Sequence, residues 1–241
     1  MGENSKNNHN VEQKGISPGI LRRFVQLLIL IILQAVILFG AAGRMDYSEG
    51  WAYMLQYVGF IVLNAIVLLP GDKGLIEERG RILENTRGWD RLVSAFYALF
   101  GIGMLLVAAL DARWGWSPRL GLALQMIGWV IMALGYGIFS WAMASNKYFS
   151  AMVRIQVERG HAVALGGPYR FLRHPGYIGI IVYSLALPVM FNSLWTFLPA
   201  VGMVLVIIIR TTLEDRTLQR ELAGYAGYVQ KVRYRLIPGV W

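Results

Sequence analysis

The chain has 241 residues, of which 56% are hydrophobic, with a mean hydropathy of +0.48 and a formal charge of +9. A soluble domain of this length needs more polar surface, so the bilayer is the expected solvent; the basic residues lie in short runs between apolar segments, as in membrane loops, and no nucleic-acid partner is expected. The absence of cysteine excludes disulfides, thiolate catalysis and thiolate metal sites, and His9, His161 and His174 are not at ligand spacing, so no metal is expected either.

Residues 1–19 are polar, rich in Asn and Lys, and without apolar periodicity, which predicts a disordered tail. The Ala41-Ala42-Gly43 tripeptide resembles a signal-peptide cleavage site, but the apolar run before it is long enough to favour a spanning helix. Six apolar segments follow one another, at about residues 24–42, 51–69, 92–110, 120–143, 177–191 and 194–209. Most approach the roughly 20 residues that cross a bilayer core. The last two are short and separated by Asn192-Ser193, which predicts a tight helical hairpin. The fold class expected is therefore all-α: a polytopic transmembrane helical bundle of about six spans. Its expected organisation is the tail over 1–19, helices over 20–145 and a C-terminal region with the helical hairpin over 146–241.

In a six-span arrangement 20 of the 23 Lys and Arg residues fall on one side, leaving Arg44, Arg113 and Arg119 on the other. Such asymmetry predicts an integral multi-pass protein with both termini cytoplasmic, in a bacterial or archaeal plasma membrane or the endoplasmic reticulum. The spans carry amides such as Gln34, Gln56, Asn64 and Gln125 but no carboxylates or cations, which argues against an ion-coupled transporter. Gly101-Ile102-Gly103 and Gly135-Tyr136-Gly137 lie inside apolar spans with no preceding strand, so they read as close helix packing, not as nucleotide loops. Residues 149–156 read either as an interfacial helix or as the end of the fourth span, and residues 210–231 resume helical spacing.

Two polar clusters flank the predicted hairpin. Arg173-His174-Pro175-Gly176-Tyr177-Ile178-Gly179 places a helix start, with its free amides, at Pro175. A His-Pro pair alone often only marks a loop entering a helix. Tyr169 and Tyr177 offer ring faces for a sulfonium or an adenine. Arg210 and Glu214 are one turn apart; by themselves they can be an ordinary helix-surface pair, or a carboxylate for an ammonium group beside a guanidinium for an acceptor. Asp215, one residue on, points about 100° away.

The order Gly167-Pro168-Tyr169, Arg173-His174-Pro175-x-Tyr177-x-Gly179, Arg210-x-x-x-Glu214-Asp215, Gly224-Tyr225-x-x-Tyr228 and Pro238 resembles the isoprenylcysteine carboxyl methyltransferase family, within a wider group that includes phospholipid methyltransferases. The resemblance covers about residues 146–241 and implies that this C-terminal part is the catalytic region, with a cofactor pocket at the cytoplasmic face. It implies S-adenosylmethionine as cofactor, held by Gln156, His161, Ala162, Val163, Ala164, Tyr169, His174, Pro175, Gly176, Tyr177 and Glu214. It implies Arg210 and Glu214 as catalytic residues, with Arg210 facing a lipophilic methyl acceptor that arrives from the bilayer, and no particular oligomeric state. The family's pair of glutamates is Glu-Asp here, and the interval from Gln156 to His161 is shorter than in the eukaryotic enzymes. A carboxylate acceptor is expected; a phospholipid amine or a thiol, an NADPH-dependent sterol or enone reduction, and a non-enzymatic scaffold are the alternatives.

Overall fold

The computed structural model describes residues 17–69, 73–80 and 86–241. Of the tail expected over residues 1–19, residues 1–16 lie outside this set. The described residues form helices α1 (Pro18–Ala42), α2 (Ser48–Leu68), α3 (Lys73–Arg79), α4 (Gly88–Trp114), α5 (Leu122–Ala144), α6 (Pro175–Met190), α7 (Phe197–Glu221) and α8 (Tyr225–Lys231), with no strand among them. Local chemistry sets the first boundary: the Ser17 hydroxyl accepts the Ile20 amide at 3.3 Å, and Pro18 occupies the first helical position, where no donor is needed.

Among the described residues, five helical stretches are long and apolar enough to cross a membrane, and α6 is a shorter apolar helix beside them. The protein is an integral multi-pass membrane protein. Large apolar side chains stand exposed along the long helices, among them Phe24, Leu55, Leu99 and Leu122, a surface that lipid covers and water would not tolerate. Inside the bundle, α5 and α6 touch through their backbones. A Cβ at Gly179 would lie 2.6 Å from the Gly135 carbonyl oxygen, so the Gly135 motif is a packing device.

The α1–α2, α4–α5 and α6–α7 turns gather at one end. There the buried Asp111 carboxylate accepts the Ser117 amide at 2.8 Å and the Ser193 hydroxyl at 2.6 Å. The opposite end carries α3, residues 145–174, α8 and the C-terminal residues. Two expectations are corrected here. Residues 149–156 are not helical, because side chains of neighbouring helices satisfy their polar groups: Asp90 on α4 accepts the Val153 amide at 2.7 Å, and Glu78 on α3 grips Arg154 with two bonds of 2.8 and 2.6 Å. The last span does not stop near residue 209; α7 runs unbroken to Glu221, so Arg210 and Glu214 ride on a membrane helix, and an Arg87–Glu221 ion pair ties its far end to the start of α4.

Candidate active site

A cavity of about 730 Å³ opens between α4, α6, α7 and the strap of residues 146–164. That volume is ordinary for a small-molecule site. Its polar wall is built around the start of α6. His174 precedes the helix, and its amide donates to the Arg235 carbonyl at 3.0 Å, while the Arg173 amide donates to that of Tyr234. The C-terminal residues therefore hold the histidine motif in place. The imidazole lies parallel to the Tyr177 ring, 5.8 Å between centroids, with Nδ1 3.9 Å from Glu214 and Nε2 3.3 Å from Asp215. The Tyr177 hydroxyl donates to the Glu214 carboxylate. One helical turn before, Arg210 donates through Nη2 to the Ala151 carbonyl at 2.7 Å and meets Asp90 at 3.0 Å, its guanidinium 6.0 Å from the Tyr177 ring centre.

Asp215 faces away from the cavity and is fully buried. Its carboxylate accepts from Arg235, Gln219 and Tyr225 at 2.8, 2.8 and 2.9 Å and lies 3.4 Å from the Arg173 Nε. This hub joins the histidine motif, α7, α8 and the C-terminal residues behind the wall.

The strap supplies the opposite side. The His161 ring packs at 4.5 Å from that of Tyr148, whose hydroxyl donates to the Gly160 carbonyl at 2.6 Å. The Gln156 amide donates to His161 Nδ1 at 3.2 Å, so that nitrogen is unprotonated. Burial, reinforced by Arg154, pulls the His161 pKa below its ordinary 6.5 and keeps the ring neutral. The Glu78 hydrogen bond raises the pKa of Arg154 further. Tyr169 is buried, its phenol pushed upward by that burial, and its carbonyl accepts the Tyr228 hydroxyl at 2.7 Å.

Of the residues expected at the site, His161, Ala162, Val163, Ala164, Tyr169, His174, Gly176, Tyr177, Arg210 and Glu214 line this one cavity. Gln156 and Pro175 do not. The Gln156 side chain is spent behind the wall, donating to the Tyr148 carbonyl and accepting from Arg159, both at 2.7 Å. Pro175 forms the first residue of α6, with no amide proton to offer. Four wall or support residues had no local signal: Asp90 and Arg79, brought in from the distant helices α4 and α3, and Tyr148 and Phe149 at the start of the strap.

A lining of several tyrosine rings with Glu214 as its one carboxylate suits a cationic sulfonium compound carrying an adenine and an ammonium group. The apolar flank at Ala95, Ala98 and Ile180 suits a lipophilic molecule.

The sequence signature of the phospholipid methyltransferase family matches residues 124–223, the stretch that contributes α5, the strap, α6 and most of α7. The chain is 32% identical over 134 residues to a probable protein-S-isoprenylcysteine O-methyltransferase of Oryza sativa subsp. indica, covering 52% of this chain and 66% of that protein. It is 26% identical over 87 residues to protein-S-isoprenylcysteine O-methyltransferase A of Arabidopsis thaliana, covering 36% and 41%. The matched region thus spans between two fifths and two thirds of these curated relatives. Together with the motif order around His174 and Glu214, these matches make the chain a relative of the isoprenylcysteine carboxyl methyltransferases and, more widely, of the phospholipid methyltransferases.

Proposed function

We propose that this protein is a membrane methyltransferase that uses S-adenosylmethionine from the cytosol and methylates the carboxylate of a lipophilic acceptor. The observation that carries the reading is the shared cavity: the Tyr177–Glu214 and His174 wall, Arg210 and the apolar α4–α6 flank all face the same space. Glu214 would take the ammonium or ribose hydroxyls of the cofactor, Tyr148, Tyr169 and Tyr177 its rings and sulfonium, and Gly176 at the α6 start its carboxylate. When bound, the cofactor supplies an electrophilic methyl group.

Methyl transfer from a sulfonium is an in-line displacement that depends on alignment and desolvation. A carboxylate acceptor is already ionised at neutral pH, so no general base is needed. Arg210, fixed by Asp90 and the Ala151 carbonyl, would orient the acceptor beside the Tyr177 ring. An amine or thiol acceptor would instead need a proton removed, and Glu214 would have to take it while bound to Tyr177. The termini are assigned to the cytosol because the basic residues concentrate at the cavity's end of the bundle.

The test is transfer of a deuterated methyl group from S-adenosylmethionine to N-acetyl-S-farnesylcysteine by the purified protein in lipid nanodiscs. Mass spectrometry should find the deuterated methyl ester. Labelled phospholipid amine with no labelled ester would replace this reading with the N-methyltransferase one.

A further inference from the structure

The cavity wall is rich in guanidinium groups, and most of them have an anionic partner. Arg210 has Asp90 at 3.0 Å, Arg173 has Asp215 at 3.4 Å, and Arg154 has Glu78 and Glu158 at 2.6 and 2.7 Å. Arg91 has no such partner among the described residues, but it is exposed at the rim. Arg79, at the end of α3, is different. It has no carboxylate within ion-pair distance among the described residues, yet it is partly buried against the cavity. Its guanidinium lies 5.7 Å from the Phe139 ring centre and 5.5 Å from that of Phe149.

The setting of α3 makes this arrangement deliberate. The helix is held at two consecutive residues: Glu77 accepts the Ser17 hydroxyl, and Glu78 binds Arg154 and the Ser150 hydroxyl. Those contacts fix the roll of α3 and direct the third residue, Arg79, into the cavity. The two phenyl faces offset only part of the cost of desolvating an unpaired cation. Burial, with Arg23 nearby, draws the Arg79 pKa down to about 9, which still leaves it charged at neutral pH. Tyr97, on the cavity face of α4, is within electrostatic reach of both Arg79 and Arg210, so the two guanidinium groups address one region.

We propose that Arg79, backed by Phe139 and Phe149, forms a subsite that takes the carboxylate of the methyl acceptor as its missing countercharge. The proposal rests on the methyl-transfer reading above and extends the acceptor site to α3, outside the 124–223 region matched by the family signature. One acceptor oxygen forms the new C–O bond as the S–CH3 bond breaks. The bonding pair leaves on sulfur, giving a neutral thioether, and no proton moves. The carboxylate becomes an ester and loses its charge, so the Arg79 contact that draws the substrate in no longer holds the product. Because the ion pair is strongest before the reaction, it lowers KM and does little for kcat.

The experiment measures methylation of N-acetyl-S-farnesylcysteine, and inhibition by its methyl ester, for the wild-type chain, Arg79→Gln and Arg79→Lys. Binding of S-adenosylhomocysteine is measured for all three. We expect Arg79→Gln to raise KM for the acid about tenfold or more, with kcat within about threefold and the ester and S-adenosylhomocysteine constants within about twofold. Arg79→Lys should recover most of the lost affinity for the acid. An unchanged KM, or equal loss for acid and ester, overturns the proposal by making Arg79 inert or merely structural. If Arg79→Gln does not fold, the wild-type chain decides: at least a tenfold preference for acid over ester is expected, and less than twofold overturns the subsite while leaving methyl transfer intact. A wild-type chain that binds no S-adenosylhomocysteine overturns the transfer reading, and the subsite with it.

Discussion

Arg210 on α7 and Asp90 on α4 meet with Nη2 and Oδ1 3.0 Å apart, both side chains almost wholly buried. The same carboxylate accepts the Val153 amide, and the same guanidinium donates to the Ala151 carbonyl, so the pair fastens the strap over the cavity as well as joining two helices. Replacing Arg210 by Ala would leave Asp90 buried without a countercharge, at a cost of about 3–5 kcal/mol. Lysine keeps the charge but replaces the guanidinium plane beside the Tyr177 ring by a compact ammonium on a different stem. Arg210→Lys should hold S-adenosylhomocysteine affinity within a few-fold while turnover falls by about a hundredfold, as when a positioning contact is lost. Steady-state kinetics with parallel calorimetry checks this; near-normal turnover would reduce Arg210 to an anchor.

Glu214 and Asp215 are neighbours with opposite tasks. Glu214→Ala and His174→Ala should each weaken S-adenosylhomocysteine binding by about tenfold or more, because each removes a polar partner at the cavity wall. Asp215→Ala strips the countercharge from Arg173 and Arg235, and should destabilise the fold by about 3–5 kcal/mol, with a smaller direct effect on affinity. Denaturant unfolding and calorimetry on the three variants separate the two effects.

A pH dependence follows from His161. Its folded pKa is below the ordinary 6.5, so as pH falls through that value the unfolded or opened strap gains a proton before the closed strap does. The closed form therefore loses stability from about pH 6.5 downward until the folded pKa is reached. Protonation also removes the Nδ1 acceptor used by the Gln156 amide. The facing charges are Arg154 and Arg159, which oppose protonation, and Glu158 and Glu214, which favour it. S-adenosylhomocysteine affinity should fall between about pH 7.5 and 5.5 in the wild-type chain and change less in His161→Gln, an uncharged replacement able to accept the same amide. Identical profiles would contradict the role given to His161.

The orientation assigned to the bundle is tested separately. Reporter fusions after Met45, Gly80, Gly115 and Trp241 should report outside, inside, outside and inside. An external C-terminus would put the cavity on the wrong side for a cytosolic cofactor.

Much of this architecture was legible in the chain because lipid imposes simple rules. Apolar length marks the spans, and the Arg and Lys asymmetry separates the turns near Asp111 from the end that carries His174. The residues around His174, Tyr177 and Glu214 were legible through the order of their motif, and Asp215 did point away as helical geometry requires. What stayed hidden depends on contacts between distant segments. Asp90 lies 120 residues from Arg210 and reads locally as an ordinary acidic residue in a first helical turn. Residues 149–156 have apolar residues at helix-compatible spacing, and only the side chains of Glu78 and Asp90 explain why they stay irregular. Gln156 carried the right polarity for a cofactor contact, but Tyr148 and Arg159 engage its side chain. Arg79 looked like one more loop cation until α3 placed it against two phenyl rings.

The central claim is that the cavity beside His174 and Glu214 receives S-adenosylmethionine, and the most direct measurement is calorimetric titration of the purified chain in nanodiscs. S-adenosylhomocysteine and NADPH would be titrated in turn, into the wild-type protein and into Glu214→Ala. We expect one-to-one binding of S-adenosylhomocysteine, weakened about tenfold or more by Glu214→Ala, and no binding of NADPH. Binding of NADPH in its place, or S-adenosylhomocysteine binding indifferent to Glu214, would contradict it.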